Sequence, residues 1–405
     1  RGEIGPSEPV PMEYVNEAVK WVTMHEVGHT LGLRHNFRAS IDTPNERLAD
    51  TDWTRERGLI GSVMDYATPN IAPPGEPNGD FYIRGMGSYD RWAIAYGYTP
   101  DAERAAELAR QAAQPGHAYG TDEDNSGPGA LDPTVNIYDL GQDPLRWGME
   151  RASTIRGTWR DIPTFALEDD ASYAGATSVF ASLLFQYARA LATSVKYIGG
   201  QYLYRDHVGD PGDRGPWENV PREKQLEALG FLVEQGFSQD AFELPPEVLQ
   251  KFGANRWSHW GNEQTINGRI DYPYHTEVLD LQRELLERVT TPMVFARIRD
   301  AEMKFGDAEV LTIPELLETL SGAIWSEVRA GTSVPSMRRD LQRAHLDRMI
   351  ELVTDAPGGT PADARSVARM TLEDLGNDLV AGMGSRDLDA YTRAHLNESR
   401  VRIER

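Results

Sequence analysis

The chain has 405 residues, enough for two or three domains, and 40% of them are hydrophobic, so it can form sizeable cores. Its formal net charge of −22 argues against nucleic acid or an anionic membrane surface as a partner, because both attract Lys and Arg and repel this charge. There is no cysteine, which excludes disulfides, thiolate catalysis and Cys-ligated metals. No stretch approaches roughly 18 uninterrupted apolar residues, so no membrane span is expected.

Composition divides the chain into three segments. Residues 1–115 contain every strong motif. Residues 116–145 are dense in Gly, Pro, Asp and Asn, which indicates a long loop or linker. Residues 146–405 have mostly helical periodicity, so we expect a helical C-terminal domain there. The helical stretches predicted within it are 178–198, 221–237, 277–304, 313–330, 336–354, 361–383 and 387–400.

The strongest motif is HEVGHTLGLRH at residues 25–35. His25 and His29 are four residues apart, so on a helix they lie on one face, one turn apart, and can bind a single metal ion. Gly32 can adopt a positive φ angle and end that helix. His35 then follows as a third nitrogen ligand. The sequence therefore predicts a three-imidazole metal site.

The residue types around this site indicate catalysis. Three protein ligands leave one coordination position for water, which is typical of catalytic zinc sites and not of structural ones. Glu26 follows the first ligand, and its carboxylate can reach a water on the metal, which suits a general base. Copper or nickel would also bind three imidazoles, but the adjacent Glu and the lack of a soft ligand favour zinc. The motif falls on a helix predicted over about residues 12–33.

The motif HExxHxxGxxH, followed by Ser-Val-Met-Asp-Tyr at 62–66, resembles the metzincin peptidases. The resemblance implies that Met64 is the methionine of the Met-turn, a hydrophobic floor beneath the zinc. It also implies that Tyr66 binds the metal or stabilises the transition state. The segment GSYDRWAIAYGY at 87–98 resembles the helix that closes a metzincin domain, where Asp90 could brace the site, cap the helix or lie at the surface.

Together with PREKQLEALGFLVEQGF at 221–237, these segments resemble bacterial zinc-dependent peptidases with a Met-zincin domain and a helical C-terminal region. The resemblance implies a mainly α fold: the C-terminal half of a metzincin catalytic domain followed by a largely helical domain. It also implies an exported enzyme that is periplasmic, bound to the cell surface or secreted.

A metzincin domain normally has a β-sheet before its active-site helix, but the 24 residues before His25 read as loop plus helix. We therefore expect that a missing N-terminal segment of the same polypeptide is a partner of this chain. On that expectation, an apolar flank of the helix formed by Val15, Val19 and Val22 should be uncovered, with Trp21 or Trp53 more exposed than core residues.

Weaker signals leave alternatives open. Asp122, Glu123, Asp124 and Asp132 could hold calcium, but their spacing fits no EF-hand and a solvated acidic loop is favoured. The aromatic segments 196–206 and 257–263 could form a substrate wall or a domain contact. The remaining histidines are isolated, and we interpret them as surface or packing residues: 117, 207, 259, 275, 345 and 395.

The mechanism that we expect is zinc-dependent hydrolysis of a protein or peptide substrate, with Glu26 as general base and Tyr66 as oxyanion donor. One alternative is a zinc-dependent hydrolase of another amide bond. A second is a zinc-bound binding or scaffolding protein, although a purely structural zinc needs no general base. A third is that the chain is inactive without its upstream segment.

Overall fold

The computed structural model describes residues 8–127, 130–210, 214–254, 269–306 and 309–405. Over these residues the fold is mainly α, as the sequence predicted, and it also contains one two-stranded sheet that the sequence did not predict. The chain forms two compact units. The first unit comprises Arg1–Asp169 and Ser182–Asn219, and the second comprises Asp170–Ala181 and Val220–Arg405.

The first unit contains seven whole helices among its described residues and the larger part of an eighth, which begins in the second unit. They are α1 (Met12–Thr30), α2 (Thr51–Arg57), α3 (Ser88–Tyr98), α4 (Ala102–Ala109), α5 (Asp122–Asn125), α6 (Pro144–Trp159), α7 (Ile162–Ala166) and α8 (Ala174–Val195). Short 3₁₀ turns occupy Ala39–Asp42 and Asn45–Arg47.

The sheet of the first unit is an antiparallel pair, β1 (Gln201–Leu203) and β2 (Trp217–Asn219), with Gln201 opposite Asn219. The predicted loop segment 116–145 also belongs to this unit, and its Val135 and Leu140 are buried. The sequence-based division at residues 115 and 145 remains a prediction.

One face of helix α1 packs against the rest of the first unit. Glu17 is buried, and its Oε2 accepts hydrogen bonds from the backbone N–H groups of Phe81 (2.6 Å) and Tyr82 (3.0 Å). Trp21, one turn further on, stacks on the Tyr82 ring with centroids 5.2 Å apart. These contacts fix the rotation of α1 about its axis and so decide which face presents the histidines.

The opposite flank of α1 is apolar and open. Val19 is 61% exposed and Val22 is 45% exposed, whereas Val15 is half-buried. Trp21 and Trp53 are both half-buried. Exposure of two valines on one helix face leaves a contiguous apolar strip beside the histidine face.

A single apolar cluster lies beneath the His25–His35 segment. Side chains partly buried against it come from α1, from α6 and from neighbouring loops, among them Trp21, Trp147 and Leu33. Its fully buried members are Leu59, Ile60, Val63, Met64, Ala67, Ile83 and Leu140. The segment 59–67 therefore runs through the core directly under the helix that carries the motif.

The second unit is built mainly from helices. They are α9 (Arg222–Leu232), which continues into a π-helical turn at Val233–Phe237, then α10 (Pro246–Leu249), α11 (Tyr274–Val289), α12 (Pro292–Phe305), α13 (Ile313–Ile324), α14 (Ser326–Ala330), α15 (Ser336–Thr354), α16 (Ala362–Gly382) and α17 (Ala390–Glu404). A 3₁₀ turn lies at Asp240–Phe242. Residues 257–263, including His259, lie outside the described residues.

Two of the isolated histidines are core residues of this unit. The indole N–H of buried Trp325 donates to His345 Nδ1 at 3.1 Å, and the Trp325 ring stacks on His395 at 5.8 Å. Burial lowers the pKa of each histidine to about 3, so both stay neutral. Their packing role agrees with the interpretation from sequence.

Across the described parts of both units, no helix has the length together with the apolar character that a bilayer crossing requires.

Candidate metal centre

The three histidines of the motif meet at one point. His25 and His29 lie one turn apart on α1, and Gly32, with φ at 87°, turns the chain after the helix so that His35 comes back toward them. The ring centroids are 4.8 Å apart for His25 and His29, 4.9 Å for His29 and His35, and 5.4 Å for His25 and His35. One ring nitrogen from each lies within 4.8 Å of the others. Among the described residues, this is the one such group of metal-ligating side chains.

The other ring nitrogen of each histidine is engaged by an acceptor. His25 Nδ1 bonds to the Val63 carbonyl at 2.8 Å, His29 Nδ1 to the Leu33 carbonyl at 3.0 Å, and His35 Nδ1 to Asp122 Oδ1 at 2.9 Å. Carbonyl and carboxylate oxygens only accept, so each Nδ1 carries the proton. Each Nε2 therefore keeps its lone pair, which is the form that binds a metal.

Two further observations fit a bound cation. His35 Nε2 is buried and has no hydrogen-bond partner, although a buried polar atom without one is costly. Burial is the main cause that lowers the pKa of His25, and the neighbouring His29 and His35 lower it further. Neutral imidazoles are the ligating form, so the donor set suits a divalent metal such as zinc.

The Met64 side chain packs directly against α1, at a point between the two ligands of that helix. Its side chain is fully buried, and a Cβ built on Gly28 would be only 2.3 Å from Met64 Sδ. The Asn36 N–H also donates to the Met64 carbonyl at 3.1 Å, which ties this segment to the residue after His35. Glycine at position 28 thus leaves the space that the thioether fills.

Tyr66 borders the same three-imidazole centre. Its ring lies 4.6 Å from the His35 ring and 5.2 Å from the His25 ring, measured between centroids. Burial is the first cause that raises the pKa of Tyr66, and the nearby Tyr138 and Asp122 raise it further. A tyrosine hydroxyl carries its proton at neutral pH and can donate a hydrogen bond. Glu26 lies on α1 next to His25 and is exposed to solvent.

Comparison with known families agrees with this geometry. A family model described as Met-zincin matches residues 7–331, well over half of the chain. The chain belongs to the Met-zincin family. That family implies zinc as the metal. No curated protein and no solved structure matches the sequence.

In this Met-zincin chain, Asp90 joins α3 to the Met64 segment. Asp90 is buried, and its Oδ2 accepts from the Val63 N–H and the Gly87 N–H, both at 2.9 Å. Its Oδ1 accepts from the Ser62 hydroxyl at 2.5 Å. Asp90 therefore caps α3 and braces the Met64 segment at once, so two of the sequence alternatives hold together.

Two buried acids, Asp65 and Asp139, interact with each other, Asp65 being next to Tyr66 in the chain, and no sequence pattern predicted this pair. Asp65 and Asp139 are both fully buried, and the Oδ1 atom of each has no hydrogen-bond partner. Burial raises the pKa of Asp139 to about 7, and burial together with Asp139 raises the pKa of Asp65 well above its usual value. Because Asp65 also accepts from the Ser40 N–H at 2.9 Å, the pair connects the Met64 segment to two other loops.

Two more residues near the site were missed from sequence. Tyr138 has a positive φ of 65°, its N–H donates to the Tyr66 carbonyl at 2.7 Å, and its ring stacks on the Tyr66 ring at 6.2 Å. The Arg189 guanidinium from α8 lies 3.6 Å over the Tyr138 ring. A positive φ at a tyrosine was the feature that residue-type patterns could not predict.

The acidic residues considered for calcium have separate protein partners. Asp122 bonds to His35, as described above, and Glu123 accepts from Arg34. The carboxylates of the other two bond elsewhere: Asp124 to Arg205 and to the Thr121 N–H, and Asp132 to Thr134 and to the Leu203 N–H. The structure thus gives each carboxylate a structural contact, and it supports no calcium site among them.

Proposed function

We propose that the chain is a zinc-dependent endopeptidase in which His25, His29 and His35 hold the metal. The observation that carries the proposal is the convergence of three imidazoles, each with its Nδ1 held by an acceptor. An arrangement of three neutral imidazoles leaves a coordination position open, which a catalytic site needs and a structural one lacks. When bound, zinc supplies a Lewis acid that lowers the pKa of water toward about 7 and polarises the scissile carbonyl.

Glu26 is the general base of this proposal. It follows His25 on α1, and its carboxylate is exposed and so accessible to water. In the proposed reaction Glu26 takes a proton from the attacking water and later gives it to the leaving amine. A structural zinc site would require no such group beside its ligands, so Glu26 favours hydrolysis over a scaffolding role.

Tyr66 is the proposed oxyanion donor. Its ring borders His25 and His35, and a tyrosine hydroxyl, whose ordinary pKa is about 10, carries its proton at neutral pH. A neutral hydroxyl at this place can donate a hydrogen bond to the oxygen that becomes negative during attack on the carbonyl. Met64 takes no part in the chemical reaction. Its side chain packs against Gly28 of α1, between the ligands His25 and His29.

The Glu26→Gln variant tests the proposal. It removes the base but no ligand, so we expect zinc content of wild-type level and loss of nearly all hydrolysis of a mixture of unstructured peptides. Glu13→Gln, an acid in the first turn of the same helix, is the matched control and should retain activity. Full peptide hydrolysis by Glu26→Gln would overturn the mechanism. Cleavage of non-peptide amides alone would favour the alternative amide hydrolase.

We also propose that the enzyme is bacterial and exported, since the peptidases that its motifs resemble are exported. Fractionation of cells that produce the full-length protein tests this. Recovery in the periplasmic, surface or culture fraction is expected, and recovery with the cytoplasmic markers would contradict it.

A further inference from the structure

His35 differs from the other two candidate ligands in how the chain places it. His25 and His29 are positioned by the backbone of α1, which ends at Thr30. His35 lies beyond that end, after a turn at Gly32, so no helix fixes its ring. Its Nδ1 is also the one among the three that bonds to a charged group, Asp122 Oδ1, at 2.9 Å; the other two bond to backbone carbonyls.

The four residues Asp122–Asn125, here named the acidic turn, form α5, and the side chain of each has a hydrogen-bond partner in the first unit. The Glu123 carboxylate accepts two hydrogen bonds from Arg34, the neighbour of His35, at 2.8 and 2.7 Å. Asp124 accepts from the Thr121 N–H at 2.9 Å, within a capping box, and from Arg205 at 2.6 Å.

The last residue of the acidic turn is tied down as well. Asn125 Oδ1 accepts from Lys196 Nζ at 3.0 Å, and the same ammonium bonds to the Val135 carbonyl at 2.5 Å. The turn is therefore held by Arg34 and His35 through its first two residues and by Arg205 and Lys196 through its last two. A carboxylate on a turn held in this way has little freedom to move away from the imidazole that it faces.

We propose that Asp122 is the positioning residue of the third metal ligand and that the rest of the acidic turn holds Asp122 in place for this purpose. The inference rests on the proposed function in one respect: His35 must be a ligand. A carboxylate that accepts from Nδ1 fixes the tautomer, stops rotation of the ring and makes Nε2 a stronger electron donor. Its negative charge also offsets the charge of a divalent ion, which three neutral imidazoles do not.

The test measures zinc affinity by competition with a chromophoric chelator, starting from metal-free protein. We expect Asp122→Ala to weaken zinc binding about 10- to 100-fold, the usual effect of removing such an outer partner. Asp122→Asn keeps an acceptor oxygen without the charge and should lose less. Asp122→Glu should restore part of the affinity. Glu56→Gln, which removes an exposed acid on α2, is the matched control and should bind zinc as the wild type does.

A double-mutant cycle with His35→Ala separates positioning from a general structural role. If Asp122 acts through His35, then Asp122→Ala should change zinc affinity by less than ~2-fold in the His35→Ala background. An equal loss in both backgrounds, or wild-type affinity in Asp122→Ala, would overturn the inference. Thermal unfolding of each metal-free variant shows whether it has a folding defect. If Asp122→Ala does not fold, the same double-mutant cycle is measured with Asp122→Asn, and its result decides between the two roles. No zinc binding by the wild type would instead contradict the proposed function itself.

Discussion

Gly28, between the two helical ligands, offers the most detailed test of the floor beneath the site. It is buried on α1, and a Cβ there would lie 2.3 Å from Met64 Sδ, 3.5 Å from Met64 Cε and 3.7 Å from Leu33 Cδ1. The first distance is far below contact, so the Gly28→Ala variant must displace the thioether. Met64 is fully buried in the apolar cluster, so its thioether has to move within the core.

Two effects of Gly28→Ala oppose each other. Alanine in place of glycine inside a helix stabilises by about 1 kcal/mol. Inserting a methyl group into a filled core costs about 1–3 kcal/mol. Because the clash falls on a side chain that is fully buried, we expect the core term to dominate. The net result should be a loss of up to about 2 kcal/mol in the free energy of unfolding.

The assay is denaturant unfolding of the metal-free and zinc-loaded protein, following the transition that shifts when zinc is added. Gly157→Ala is the matched control, since a Cβ on that glycine of α6 would meet nothing within 4 Å. It should gain about 0.5–1 kcal/mol. In a Met64→Ala background the clash is absent, so Gly28→Ala should become stabilising there. If Gly28→Ala stabilises the protein with Met64 intact, as Gly157→Ala does, the packing of Met64 between the ligands is refuted.

Three other variants give further predictions. Tyr66→Phe should lower kcat on a cleaved peptide roughly 10- to 1000-fold with zinc content unchanged, and loss of the metal instead would show that Tyr66 acts on binding. Met64→Leu, a near-isosteric exchange, should change stability by less than about 1.5 kcal/mol in denaturant unfolding. The pKa of Asp139 is about 7 in the folded protein and 3.8 as the ordinary value. Its contribution to the free energy of unfolding is therefore fully present below about pH 4 and is lost as the pH rises through about 7. The loss amounts to about 1.4 kcal/mol for each unit of difference between the two pKa values. Asp139→Asn should flatten that decline in stability between pH 4 and 7, and an unchanged pH profile would contradict the assignment.

The sequence predicted the helices well where the periodicity was long. The bounds of α15 match the predicted stretch 336–354, and α1 ends three residues before the predicted end at 33. The stretch 277–304 is instead two helices, broken after Val289, because Pro292 has no N–H to donate and begins a new helix. The apolar residues keep a helical spacing across such a break, so the sequence pattern did not show where the first helix ends.

The metal ligands were predictable because their spacing is local. His25 and His29 are set by helix geometry, and His35 by a glycine that ends the helix. The contact of Asp122 with His35 joins residues 87 apart in sequence, and no local pattern encodes such a pairing. The same limit applies to Asp139, whose burial beside Asp65 follows from tertiary packing alone.

The most direct test of the whole account is the zinc content of the purified protein by elemental analysis, for the wild type and for the His29→Ala, His35→Ala double variant. We expect about one zinc per wild-type chain and almost none in the double variant, since one imidazole cannot hold the ion. His117→Ala is the control: that ring stacks on Trp92 at 4.7 Å and lies outside the ligand group, so its removal should leave the zinc in place. Unchanged zinc content in the double variant would contradict the assignment of the three-histidine centre.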